Sequence, residues 1–438
     1  MESIWQFLNQ TKYEPLPDTV RHQAQRCFID LIGVAVAGST TPMAEVVHRY
    51  SAQQFGLTNA KPLLGGAPLS PAGAAFVGAS IIDAMDGHDG HALTKGHVGC
   101  SLLPTLVAVA EAEQIPLTGS EFTTLFVAGY ELGIRAGMAM HETANDYHAS
   151  GSWMSITSAA VSAFLLNLSY PQFCHALGIA AYQGPRSPML NVVSNPSMLK
   201  DGAGWGAFTG VSSAYMAEAG MTGSPVDIFN AYTRCYWQDL GQHWRILDQY
   251  FKYYPCCRWA HPAVDCVKSL LTKGGFKVNQ IERVEVNTFK EASCLFQGIP
   301  SNTEQAQYAM NYPVAAALID GDFLVDHVSE SGLQRPDIQA MCQKVVVNHC
   351  EGFSHKFPQQ RLAQITLVLA DGQTLESPVL SAKGDPDQPF SDEVLEEKFR
   401  SYVATQWSDT KADQFLLATE ALFADQISLA DCLAIVRQ

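Results

Sequence analysis

A chain of 438 residues with 47% apolar and only 16% charged residues has material for a large buried core and for more than one domain. A formal charge of −16 excludes a broad nucleic-acid or anionic-membrane surface. Eleven cysteines without regular spacing, no basic leader and no run of about 18 apolar residues predict a cytoplasmic chain with reduced thiols.

The first half reads as helical. Asp18-Thr19 supplies an N-cap for a helix that carries Val20, Ala24, Cys27, Leu31 and Val34 on one face and closes at Gly38. Pro71 to Met85 is mostly Ala, Gly, Ile and Val, the composition of a helix with close neighbours on all sides, and Ser158 to Leu168 and Gly202 to Ala219 repeat that style. Thr118-Gly119-Ser120 opens another helix, with Phe122, Leu125, Phe126, Tyr130 and Ile134 at helical period. Strand patterns gather after residue 280. Ile281 to Asn287 alternates, Val345 to Asn348 is a short candidate, and Gln364 to Ala370, Asp371-Gly372 and Gln373 to Leu380 read as a hairpin. The style changes near residues 248 to 260. It turns helical again after Gly384-Asp385-Pro386, where Ser391 caps a run with Leu395, Phe399 and Val403 that packs back onto the first domain.

One stretch stands apart: Asp86-Gly87-His88-Asp89-Gly90-His91-Ala92-Leu93-Thr94-Lys95-Gly96-His97-Val98-Gly99-Cys100 crowds acids, imidazoles, an amine and glycines between two apolar helical runs. Anchored flanks around a polar loop suit an active site. The loop admits metal ligation or proton transfer. Asp86, His88, His91 and His97 have no i, i+4 ligand spacing, and the chain has neither His-Glu-x-x-His nor Cys-x-x-Cys, so proton transfer is favoured and no metal is expected. Other polar residues in apolar, small-residue settings are His148, Lys200, Lys252, His261 and Tyr312, where a lysine titrates low and a histidine near neutrality. At Cys256-Cys257, packing beside Pro255 is favoured over a thiol nucleophile activated by Lys252 and Arg258.

An ordered series of motifs resembles the MmgE/PrpD family over nearly the whole chain. It runs through Ala84-Met85-Asp86 to His97-Val98-Gly99, Gly129-Tyr130-Glu131, Ser197-Met198-Leu199-Lys200 with Gly204-Trp205, Lys252-Tyr253-Tyr254-Pro255-Cys256-Cys257-Arg258 with His261-Pro262-Ala263, Ala306 to Tyr312, and Lys383-Gly384-Asp385-Pro386. The resemblance implies a mainly α fold, in which residues 1–247 together with 386–438 form a large all-helical domain and residues 248–385 a smaller α+β lid domain. It also implies a homodimer acting on small polycarboxylates without metal or organic cofactor, by dehydration as with 2-methylcitrate, decarboxylation as with cis-aconitate, or epimerisation as with iminodisuccinate.

Carried over by motif, Asp86, His97, His148, Lys200 and Tyr312 fall on catalytic positions and Lys252 on a substrate-binding one, with Arg258 and His261 as its neighbours; His88, where the loop departs from the family's pattern, is placed with the substrate-binding set. Proton abstraction beside a carboxylate builds negative charge, which needs fixed cations and a base above the carbon. In that scheme Lys200 or His97 moves the proton, Asp86 tunes a histidine, Lys252 with Arg258 holds carboxylates, and Tyr312 donates from the other side. The competing readings are a metal-dependent hydrolase using the loop histidines and an inactive relative that only binds a carboxylate.

Overall fold

The computed structural model describes residues 1–11, 15–56, 58–230 and 232–438. Among the described residues ten α-helices precede residue 248: α1 (Glu2–Thr11), α2 (Asp18–Gly38), α3 (Pro42–Gln54), α4 (Pro71–Met85), α5 (Gly99–Ala112), α6 (Gly119–Thr143), α7 (Gly151–Leu165), α8 (Tyr170–Gln183), α9 (Met189–Ser194) and α10 (Ala203–Glu218). Local chemistry sets their ends. Ser70 accepts the Gly73 N–H at 3.2 Å and Pro71 takes the first turn, so α4 begins there. Thr118 and Glu121 form a reciprocal capping box at the start of α6. The expected cap on α2 is absent: Asp18 spends its carboxylate on Arg21 at 2.6 Å and lies within the first turn, where it still complements the helix dipole.

Small residues let these helices approach closely. A Cβ on Gly210 of α10 would lie 2.4 Å from the Ser158 Cβ and 2.5 Å from the Ser155 carbonyl of α7, so only glycine permits this spacing. The result is a core in which Ala207, Val211, Ala159 and Ala160 are buried.

After residue 280 the chain builds a mixed sheet in the order β4 (Val345–His349), β3 (Ile281–Thr288), β5 (Leu362–Leu369), β6 (Thr374–Glu376), with β7 (Leu380–Ser381) also on β5. β3 runs parallel to β4, with Val284 opposite Val345, and antiparallel to β5, with Val286 opposite Ile365. The expected hairpin forms, but its second strand splits into β6 and β7. Pro378 lies between them and has no N–H to donate to the ladder. Periodicity gave no sign of two of the two-residue strands, β1 (Gly90–His91) and β2 (Gln249–Tyr250). They pair antiparallel, Gly90 opposite Tyr250, and tie the polar loop to the segment at residues 248–260.

The C-terminal helices Asp392–Val403 and Asp409–Phe423 lie against α2. Phe399 covers Gly33, Phe415 meets Phe28 at 5.9 Å between ring centroids, and the Lys398 ammonium bonds the Asp30 carboxylate and, at 2.6 Å, the Gly87 carbonyl. Among the described residues no single helix is long and apolar enough to cross a membrane.

Candidate active site

The polar loop leaves α4 through a left-handed residue. Asp86 has φ 53°, as do, nearly, Lys95 at 50° and Lys200 at 46°, a conformation that costs a non-glycine residue about 1–2 kcal/mol. Such strain concentrates where a side chain must be aimed. Gly90 answers a different need: a Cβ there would sit 2.5 Å from the Tyr250 hydroxyl and 2.8 Å from His97 Nδ1.

The loop and the segment after residue 248 close around a small cavity lined by Asp86, Lys95, His97, Tyr147, Asp201, Tyr250, Lys252, Cys257, Arg258, Tyr308 and Arg361, among others. Its free volume is about 20 Å³, room for about one water. Lys252 Nζ lies 2.5 Å from Asp86 Oδ1 and 3.1 Å from the Asp86 carbonyl oxygen, both side chains being buried. Burial works against the charge on Lys252, but the Asp86 carboxylate outweighs it and the ammonium stays above its usual range.

His97 is fixed by its backbone and by its ring. Its N–H donates to Ser150 Oγ at 3.0 Å, and Nδ1 lies 2.6 Å from the Asp89 carbonyl oxygen. A carbonyl only accepts, so Nδ1 carries the hydrogen and Nε2 keeps its lone pair. Burial, then the nearby Lys252 charge, hold this imidazole well below its ordinary value, so it is neutral. Nε2 is 3.9 Å from Asp201 Oδ2. Asp201 accepts from Ser150 Oγ at 2.9 Å and from the Tyr308 hydroxyl at 3.3 Å; burial and then the charges of Asp83 and Asp86 raise its carboxyl to about 6. A neutral base and a carboxylic acid with a raised pKa therefore stand side by side.

Behind them is a buried acid cluster. Tyr130 donates to Asp89 at 2.9 Å, and burial followed by the Asp30 charge raises Asp89 to about 7. The His88 ring lies 4.3 Å from that of His97, with its Nε2 3.5 Å from Asp83. Asp86, His88 and His97 bring one ligand atom each within 4.8 Å of one another, a carboxylate and two imidazoles suited in kind to a transition metal. Asp86 Oδ2 and both His88 ring nitrogens have no hydrogen-bond partner, but the surroundings oppose a metal: Asp86 Oδ1 is bonded to the Lys252 ammonium, which would repel a dication at close range.

Comparison with known proteins bears on this arrangement. A family model described as the MmgE/PrpD N-terminal domain matches residues 2–243, and one described as the MmgE/PrpD C-terminal domain matches residues 254–423. The chain belongs to the MmgE/PrpD family. Similar relatives include cis-aconitate decarboxylase of Mus musculus, 26% identical over all of this chain and 92% of its own length. The Homo sapiens cis-aconitate decarboxylase is 27% identical over 93% of this chain and 88% of its own. A cis-aconitate decarboxylase-like protein of Aspergillus oryzae is 24% identical over 91% and 89%.

Within this MmgE/PrpD chain, Asp86, His97, Lys252 and Arg258 meet at the cavity, and His88 backs onto it. Lys200 is buried beside it, its ammonium bonded to Gln307 Oε1 and 5.5 Å from the Tyr308 ring centroid. The Gln307 amide in turn donates to the Ala84 and Met85 carbonyls at 3.1 and 3.0 Å, clamping the end of α4. His261 braces Arg258. Its Nε2 donates to the Cys256 carbonyl at 3.2 Å and its Nδ1 faces Arg258 Nη1 at 3.4 Å; burial, then Arg258, hold it well below the usual range.

Two expected positions fall elsewhere. Tyr312 is four residues beyond the tyrosine that reaches the cavity, Tyr308, and its hydroxyl is spent on the His327 and Gly332 carbonyls at 2.8 and 3.0 Å. His148 lies outside the lining because it follows Tyr147 in an extended stretch bridged to Pro188. Neighbouring side chains there point to opposite sides, and the Tyr147 side has the cavity. Cys257 does line the site, but burial and then the Asp86 charge push its thiol up to about 12, so it stays protonated. Sequence reading missed Asp201, Tyr308, Tyr147, Tyr250 and Arg361. Only Asp201 carried a signal, its place directly after Lys200 in a polar break before α10.

Proposed function

We propose that this chain is a lyase acting on a small polycarboxylate, with decarboxylation of a cis-aconitate-like substrate as the reaction its relatives' names favour. The observation that carries the reading is a neutral His97 whose free Nε2 faces a buried cavity ringed by lysine and arginine. Loss of a proton or of carbon dioxide leaves an electron pair on carbon, stabilised by Lys252 and Arg258 through an adjacent carboxylate. Asp86 keeps Lys252 charged for that task. His97 Nε2 takes or returns the proton at carbon, and Asp201 is the neighbouring proton reservoir, 3.9 Å away. Because the enclosed space holds about one water, the walls part to admit substrate and close again around it.

The test is to incubate the purified protein with cis-aconitate, citrate, 2-methylcitrate and iminodisuccinate and follow released carbon dioxide and products. Carbon dioxide from cis-aconitate supports the reading. Water loss from 2-methylcitrate or inversion of iminodisuccinate, without carbon dioxide, moves the reaction to dehydration or epimerisation. No change in any of the four contradicts it.

A further inference from the structure

Most basic groups in and beside the cavity are already partnered: Lys252 with Asp86, Arg258 with Asp385 at 3.1 Å, and Lys200 with Gln307. Arg361 is different. It stands just before β5, is 1% exposed, and makes no ion pair among the described residues. Its one hydrogen bond runs from Nη2 to the Ala92 carbonyl at 3.3 Å, and its Nε has no acceptor. Its guanidinium lies 5.5 Å from the Tyr250 ring centroid.

A buried guanidinium with idle donors and no acid is costly to the folded chain unless an anion comes to it. The neighbouring cation deepens that need. Lys95 also lines the cavity without an ion pair among the described residues, its ammonium 5.3 Å from the Tyr147 ring centroid. Its N–H donates to the same Ala92 carbonyl that receives Arg361, at 3.3 Å, and its backbone is held left-handed at φ 50°. Burial, then the Arg361 charge, lower its pKa, against a smaller opposing pull from Glu291.

We propose that Arg361, with Lys95, anchors a carboxylate of the substrate that does not react, so this pair makes the site select for more than one carboxylate. The planar fork of an arginine matches a carboxylate in two parallel hydrogen bonds, which a lysine does not. The inference deepens the polycarboxylate reading above and rests on it.

The test uses propane-1,2,3-tricarboxylate, which has no double bond to react, with binding to the full chain measured by calorimetry. The parent binds it. Arg361→Gln weakens binding about 30-fold or more and Lys95→Gln about tenfold, as loss of a buried charge contact does. Glutarate lacks the central carboxylate and methylsuccinate a terminal one; whichever of the two lacks the anchored group binds the parent and Arg361→Gln alike, because removing the ligand's anchor group and the protein's costs no more than removing one of them. Parental affinity of Arg361→Gln for the tricarboxylate, with an unchanged circular dichroism spectrum, overturns the assignment. So does inorganic phosphate binding as tightly with the same dependence on Arg361. Should the glutamine variant not fold, Arg361→Lys keeps the charge without the fork; about tenfold weakening supports the anchor, and none overturns it. Since this ligand does not turn over, intact anchoring with no turnover of any substrate removes only the lyase reading. Turnover by Arg361→Gln at parental KM removes only the anchor.

Discussion

The cavity has two walls of opposite character. Residues before position 248 contribute the carboxylates Asp86 and Asp201, the imidazole of His97 and Tyr147; residues after it contribute Lys252, Arg258 and Arg361 and, among the described residues, no carboxylate. One wall is made of groups whose proton affinity burial can tune, and burial does tune them: His97 falls, Asp201 rises to about 6 and Asp89, behind it, to about 7. The other wall carries positive charge, the Lys252 ammonium and the Arg258 and Arg361 guanidiniums. In the proposed reaction, moving protons and holding anions make opposite demands, and the two sets that would meet them come from separate stretches of chain. They touch at the Asp86–Lys252 pair, and among the described residues Lys95 is the one lining cation on the acidic side.

Four substitutions break or sharpen that contrast. His97→Gln keeps a polar side chain but removes the Nε2 lone pair, and turnover falls about 10³-fold with folding intact by circular dichroism. Parental turnover would take the proton-moving role away from this wall. Asp86→Asn strips the carboxylate from a buried ammonium and destabilises the fold by about 3 kcal/mol in urea unfolding; adding Lys252→Met recovers much of the loss, since the cost comes from the unpaired charge.

Asp89→Asn tests the tuned wall through pH. The folded Asp89 carboxyl titrates at about 7, far above an unfolded aspartate, so between about pH 4 and 7 the folded form keeps a proton that the unfolded chain releases. Parent stability therefore drops as pH rises through that window, by on the order of 4 kcal/mol from this group, and the variant escapes the drop. Unfolding at pH 5 and pH 8 checks it: the variant gains on the parent at pH 8, and an equal difference at both values counts against it. The smallest effect is at Tyr312→Phe. Its hydroxyl serves two backbone carbonyls away from either wall, so stability falls by about 1 kcal/mol and turnover holds, whereas a large loss of turnover would restore it to the site.

The helical architecture was legible because glycine, proline and capping residues punctuate long apolar periods, as at Ser70-Pro71 and Thr118 to Glu121. The polar loop stood out for the same reason, and the structure gathers Asp86, His97, Lys252 and Arg258 from it and from the 252–258 motif. What escaped is tertiary. Arg361 and the Ala92 carbonyl it meets are 269 residues apart, and a single arginine ahead of a strand has no local mark. Tyr308 and Tyr312, like Tyr147 and His148, are close neighbours in sequence, and which member of each pair faces the cavity is decided by packing that no local pattern records. The mate of β1 could not be read for the same reason: two residues carry no period.

The central claim is that His97 handles a proton at a substrate carbon while the basic wall holds the resulting anion. Reaction of cis-aconitate in deuterated water, run with the parent and with His97→Gln, measures it most directly. The account predicts release of carbon dioxide with one deuterium fixed at carbon in the parent, and unlabelled, unconsumed substrate with the variant. Equal deuterium incorporation by both proteins, or release of carbon dioxide by the parent with no label at carbon, would contradict it.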